Sequence, residues 1–161
     1  MWAGWRSTYV SKLSTPFDPS GGSVFTQILR SGLTDEETNI VHRGKWVFVI
    51  LNSFPYGTAH SLVLPYREVP DLEDLSAKES TELWAEVTDT VRAIKKAYNP
   101  EGLNVGVNLG KPAGGSVSQH LHVHVVPRWT GDANFMTAVA NTRTLPEALV
   151  DTAARLRAAW P

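Results

Sequence analysis

Residues 118–129 read Ser-Gln-His-Leu-His-Val-His-Val-Val-Pro-Arg-Trp, and three of the five histidines of the chain fall there, alternating strictly with apolar residues. A period of two belongs to a β-strand, because successive side chains leave a pleated backbone on opposite faces. The pattern predicts a strand with Leu121, Val123 and Val125 turned into a core and His120, His122 and His124 sharing the other face. At a rise of ~3.3 Å per residue, alternate positions lie ~6.6 Å apart. Imidazole adds little to packing and brings two polar nitrogens that need partners. Three on one face therefore point to chemistry, and the rest of the chain has to supply a sheet, a core and a pocket around them.

Those parts can be read in order. Residues 1–24 mix Trp2, Trp5, Tyr9 and Phe17 with Pro16, Pro19, Gly21 and Gly22, which predicts an extended aromatic arm. An element begins near Phe25, and residues 33–37 read as an exposed connection. Residues 39–42 and 46–51, joined by Arg43-Gly44-Lys45, predict a β-hairpin. Residues 52–59 form a loop with Pro55 and Gly57, and residues 60–65 a short strand. Ser76-Ala77-Lys78-Glu79 has the form of a capping box, so a helix starts there. Leu83, Val87, Val91, Ile94 and Tyr98 give it one apolar stripe, and Asn99-Pro100 and Gly102 end it. Residues 103–109 alternate as a strand, and the glycine-rich loop 110–116 leads into the histidine strand. Thr144-Leu145-Pro146-Glu147 repeats the capping pattern ahead of a last helix striped by Leu149, Val150, Ala153, Leu156 and Trp160. Strands, long helix, strands and terminal helix make an antiparallel α+β domain.

With 161 residues, one domain is expected. A net charge of −1 without Lys/Arg runs argues against a nucleic-acid partner. No apolar run approaches the ~20 residues of a membrane span, and the N-terminus shows no secretory core. The absence of cysteine rules out disulfides, thiol nucleophiles and cysteine metal sites together. A cytoplasmic protein is the expectation.

Two chemistries are open to three imidazoles on a sheet. A catalytic zinc needs three ligands converging on one point, but same-strand positions diverge unless the strand bends, and the first carboxylate after His124 is Asp132. No metal site is expected. The other chemistry is nucleophilic attack at phosphorus: neutral imidazole is a competent nucleophile, and a neighbouring side chain can fix its tautomer. The loop upstream favours this. Asn108-Leu109-Gly110-Lys111-Pro112-Ala113-Gly114-Gly115-Ser116 offers backbone N–H groups, two adjacent glycines and a hydroxyl suited to an oxyanion. It has neither the spacing of a nucleoside-triphosphate P-loop nor a Gly-x-Gly-x-x-Gly run.

His120-Leu121-His122-Val123-His124-Val125-Val126 resembles the histidine-triad motif, His-φ-His-φ-His-φ-φ with φ apolar, of the HIT superfamily. Asn52 and His60, eight residues apart, match positions those proteins use around the nucleotide and triad. From about Leu33 onward the chain is similar to the actinobacterial diadenosine tetraphosphate phosphorylase branch. The segments that carry this likeness are residues 51–56, Pro65-Tyr66-Arg67, residues 104–110 and residues 126–135. The resemblance implies a HIT-like fold: a five-stranded antiparallel sheet with one long central helix and a C-terminal helix, usually dimerised by joining two sheets.

It also implies that His122 attacks an α-phosphorus of a dinucleoside polyphosphate or other adenine nucleotide. His124 and His60 would support it by hydrogen bonds, and His120 would order the triad. Gly114, Gly115 and Ser116 would contact phosphates or leaving group, Asn52 and Asn108 the ribose and phosphate. Gln119 and Trp129 complete the implied binding set, Trp129 serving equally well as a dimer-interface aromatic. The nucleotidyl group then passes to inorganic phosphate, the implied co-substrate, or to water. A phosphorylase is favoured over a hydrolase, a nucleoside phosphoramidase and a non-catalytic nucleotide-binding protein. A homodimer or homotetramer is expected. Two departures stand out. Related bacterial proteins often carry a zinc-binding Cys-x-x-Cys where this chain has Ser23 and Thr26, so structural zinc is not expected. Other branches have glutamine at the Ser116 position, so leaving-group preference should differ.

Overall fold

A computed structural model describes residues 20–115, 117–132 and 147–161. Most of the aromatic arm, Ser116 and the cap pattern 144–146 lie outside the described residues. The elements are α1 (Val24–Arg30), α2 (Asp35–Thr38), β1 (Ile40–Arg43), β2 (Val47–Leu51), β3 (Ser61–Pro65), α3 (Ala77–Tyr98), β4 (Gly102–Val107), β5 (Val123–Arg128) and α4 (Leu149–Ala159), with short 3-10 turns at Leu72–Asp74 and Lys111–Ala113. The five strands form one sheet in the order β1-β2-β3-β5-β4, every neighbouring pair antiparallel. The α+β class and the expected hairpin both hold.

The sheet separates two apolar layers, as alternation requires. Val47, Val49, Val63, Leu121, Val123 and Val125 face the layer that also holds Leu83, Val87, Ile94, Ala153 and Leu156 from α3 and α4. Phe48, Ile50, Leu62 and Leu64 face the opposite layer with Phe25 and Ile28 of α1. The α3 stripe is the one read from the sequence. The helix opens on a complete capping box, with the Ser76 hydroxyl accepting from the Glu79 N–H and the Glu79 carboxylate accepting from the Ser76 N–H. It closes on Asn99 in the left-handed conformation.

Three expectations need correction. Residues 33–37 are not a plain connection: Thr34 and Glu37 form a second capping box and start the one-turn helix α2. The last helix begins later than the Thr144 pattern implied, since Ala148 is its extended N-cap and makes no side-chain cap bond. Glu147 instead accepts hydrogen bonds from the Tyr98 and Thr152 hydroxyls and pairs with Arg155, which ties α4 to α3. Finally, Val150 is 54% exposed, and Thr152 takes the buried place in the stripe.

Candidate active site

The regular part of the histidine strand starts at Val123, so of the three alternating histidines only His124 sits on β5, while His120 and His122 lie on its approach. The side-chain alternation nonetheless persists: Leu121 and Val123 enter the helix-side core, and the three rings gather on the α1 side. In the β3–β5 register Leu62 stands opposite His124. His60, two residues before Leu62, is thus the diagonal neighbour of His124 on the same face, within reach of a ring. His60 Nε2 lies 2.9 Å from His124 Nδ1, and the His122 and His124 rings meet edge to face at 4.9 Å. The structure brings His60, His120, His122 and His124 together.

Each proton can be placed by asking which atoms can only donate or only accept. The Tyr56 N–H donates to His60 Nδ1 at 3.0 Å, so the hydrogen of that ring is on Nε2 and is donated to His124 Nδ1. Burial, with His122 alongside, holds His124 down to about 4. A neutral His124 that accepts at Nδ1 carries its own hydrogen on Nε2. The atom of Asn108 nearest that nitrogen is Nδ2, at 3.5 Å; two donors cannot bond, so the Asn108 amide has to turn its oxygen toward His124 to receive the hydrogen. His122 is arranged the other way. Its Nδ1 lies 2.8 Å from the His120 carbonyl, which can only accept, so the hydrogen is on Nδ1. Burial pushes its pKa down, and the neutral ring is left with a lone pair on Nε2.

His120 is wholly buried and touches no open surface. Its Nε2–H donates to the Pro65 carbonyl at 2.8 Å, and its Nδ1 accepts from the Ser23 hydroxyl at 2.6 Å. Burial lowers this imidazole too. Phe25, on the first turn of α1, packs against both His120 and His122 at 5.5 Å.

Around this core the other expected residues fall unevenly. Asn52 closes a turn, its side-chain oxygen accepting the Phe54 N–H, while its amide nitrogen lies 3.4 Å from His60 Nδ1. The glycines serve the loop's own geometry. The Gly114 N–H is donated to Lys111 O and the Gly115 N–H to Gly110 O, and a Cβ on Gly115 would sit 3.0 Å from Gly110 O. Gln119 is exposed beside the triad. Trp129 follows the last residue of β5, which at ~3.3 Å per residue puts it about 16 Å along the strand from His124. Its N–H donates to Asp132.

The chain matches the HIT domain family over residues 34–131, more than half its length. It is 44% identical over 164 aligned positions, 99% of this chain and 83% of the relative, to the AP-4-A phosphorylase of Mycobacterium tuberculosis. It is 35% identical over 59% of its length, and 52% of the relative, to the asymmetrical bis(5'-nucleosyl)-tetraphosphatase of Schizosaccharomyces pombe. Among solved structures it is similar to a Zn-bound histidine triad family protein from Mycobacterium smegmatis, with a TM-score of 0.68 and 27% identity over 85% of this chain and 91% of that one. The chain belongs to the HIT family.

In this HIT protein two side chains that shape the site do not stand out in the sequence, Tyr56 within the matched residues and Phe25 ahead of them. Tyr56 packs against His60 at 4.6 Å with the rings tilted, and lies nearly parallel to His124 at 5.9 Å; its position in a Pro/Gly loop four residues before His60 was the available signal. Phe25 read only as the start of an element. No described helix is long and apolar enough to cross a membrane.

Proposed function

We propose that this protein is a dinucleoside polyphosphate phosphorylase that works through a nucleotidyl-histidine. The observation that carries the reading is the His122 Nδ1–H held on the His120 carbonyl at 2.8 Å, which leaves Nε2 as a lone-pair nucleophile. Attack of Nε2 on the α-phosphorus of Ap4A forms an N–P bond, breaks the P–O bond to the next phosphate and releases ATP. The positive charge that grows on the ring is met at Nδ1–H by the same carbonyl. His124 Nε2–H, oriented by His60, is the donor facing the transferring group. Phosphate then attacks the nucleotidyl group, releasing ADP and restoring the imidazole. Near-full-length similarity to a phosphorylase supports phosphate over water as acceptor.

Asn52, Asn108, Gln119 and Ser116 belong to the substrate side of this proposal, Gly114 and Gly115 to shaping its loop. No resident zinc is part of it. The hydroxyls of Ser23 and Thr26 are poor zinc donors beside thiolate or imidazole, and both already hold hydrogen bonds to His120 and Glu68. A cytoplasmic location and a homodimer complete the reading.

The deciding experiment is Ap4A turnover with and without inorganic phosphate, with products separated by anion exchange. ADP and ATP formed only with phosphate is the expected result; AMP and ATP without it would replace the phosphorylase by a hydrolase. His122→Asn is expected to abolish turnover and leave the fold intact, and residual turnover in that variant would remove His122 as nucleophile.

A further inference from the structure

Behind the triad is a hydrogen-bonded chain, buried at Ser23 and His120 and half-buried at Thr26 and Glu68, that the proposed chemistry does not use. Ser23 is fully buried, caps α1, and its Oγ lies 2.6 Å from His120 Nδ1. Thr26 donates its hydroxyl hydrogen to Glu68 Oε2 at 2.6 Å, and the Ser23 N–H donates to the same oxygen at 2.8 Å. His120 Nε2–H is committed to Pro65 O, so Nδ1 is the acceptor and the Ser23 hydroxyl hydrogen points at it. Gly22 lets the carboxylate come this close: its φ is +88, and a Cβ there would lie 2.8 Å from Glu68 Oε2. Glu68 thus grips the backbone and side chain of the α1 start and sets where the Ser23 hydroxyl points.

We infer that Glu68 is a positioning residue for the nucleophile, acting through Thr26 and Ser23 on His120 and through the His120 carbonyl on His122. Two bonds carry the effect. Ser23 Oγ–H and Pro65 O together hold the His120 ring in one tautomer and one orientation, which fixes the backbone that carries its carbonyl. That carbonyl, 2.8 Å from His122 Nδ1, decides which nitrogen of His122 bears the proton. If it moves away, the proton can settle on Nε2, and the attacking lone pair is lost. The inference rests on His122 as nucleophile only for its effect on rate; the tautomer effect stands without it.

The test pairs Glu68→Ala, which removes the oxygen that accepts both bonds, with Glu68→Gln, which keeps an acceptor oxygen. Glu68 is only partly buried, so both variants should fold. Long-range 1H–15N spectra of the imidazoles, taken without substrate, read the His122 tautomer directly. Wild type is expected to show the Nδ1–H form alone. Glu68→Ala is expected to give a mixture, and Glu68→Gln to return most of the wild-type spectrum. In turnover of Ap4A with phosphate, Glu68→Ala should lower kcat about tenfold or more, the scale of a lost orienting partner, with KM nearly unchanged. An unchanged His122 spectrum in Glu68→Ala overturns the inference whatever the activity. So does a loss confined to melting temperature, with kcat per folded molecule intact. Failure of wild type to turn over Ap4A would overturn the functional reading alone, since the spectra still decide the role of Glu68.

Discussion

His122 and His124 are neighbours in space with opposite proton placements, and that difference is the chemical content of the site. One imidazole keeps Nε2 bare because a carbonyl takes its Nδ1–H; the other keeps Nε2 protonated because His60 donates to its Nδ1. Both pKa values lie below the ordinary imidazole value, chiefly from burial, with His124 at about 4. A base whose pKa is lowered stays neutral, and so nucleophilic, as pH falls through the usual range near ~6.5. In a two-step transfer, kcat/KM for the dinucleotide reports the first attack alone, free of the titration of inorganic phosphate. Its acid limb is therefore expected below pH 6.5, and initial rates at low substrate between pH 4 and 8 measure it. A limb centred at or above ordinary histidine would contradict the lowered His122. The same shifts have a stability sign. Between about pH 6.5 and 4 the unfolded chain binds protons on these rings that the folded chain refuses, so folding weakens as pH falls.

At the scale of elements, α3 shows what local sequence can decide. Its capping box, stripe and stop are all local signals, and all three hold. Glu79 does more than cap: it also accepts from Arg67 at 3.0 and 2.8 Å, and this pairing, ahead of the cap bond, pulls its carboxyl down to about 2. A carboxylate with a depressed folded pKa stabilises above its unfolded value near ~4.3 and loses that contribution as pH falls toward 2. Glu79→Gln should therefore cost about 1–2 kcal/mol at neutral pH, screened because Arg67 is half exposed, and progressively less on acidification. Urea midpoints at pH 7 and pH 3 check it. The second capping box, Thr34-x-x-Glu37, was equally legible but opens only a four-residue helix, too short for an apolar stripe to announce. The start of α4 misread for the opposite reason: Glu147 fits a cap pattern, yet tertiary partners on α3 claim its carboxylate. His120, His122 and His124 were legible in the alternation and His60 came from the resemblance, whereas Phe25 and Glu68 are joined to the triad only through long-range packing that no local period encodes.

For the whole molecule, the two edges of the sheet differ. β1 ends on Arg43, is broken by a bulge between Ile40 and His42, and its Ile40 carbonyl takes hydrogen bonds from Arg157 of α4. Bulges, charges and covering helices are the usual protections of an edge. β4, Gly-Leu-Asn-Val-Gly-Val, has no charge, no proline and unbroken register with β5. Val105 pairs with Val125 and so stands on the helix-bearing face, where it is 44% exposed; Leu109, just past the strand, is 40% exposed. Among the described residues this apolar edge has none of those protections, and the proposed homodimer would pair here, joining two five-stranded sheets into one. Val105→Lys puts a charge on that edge without touching the core, so the variant should keep its melting behaviour and run as a monomer where wild type runs as a dimer. Light scattering after size exclusion measures both masses; a Val105→Lys dimer would move the interface away from β4, and a wild-type monomer would overturn the dimer itself.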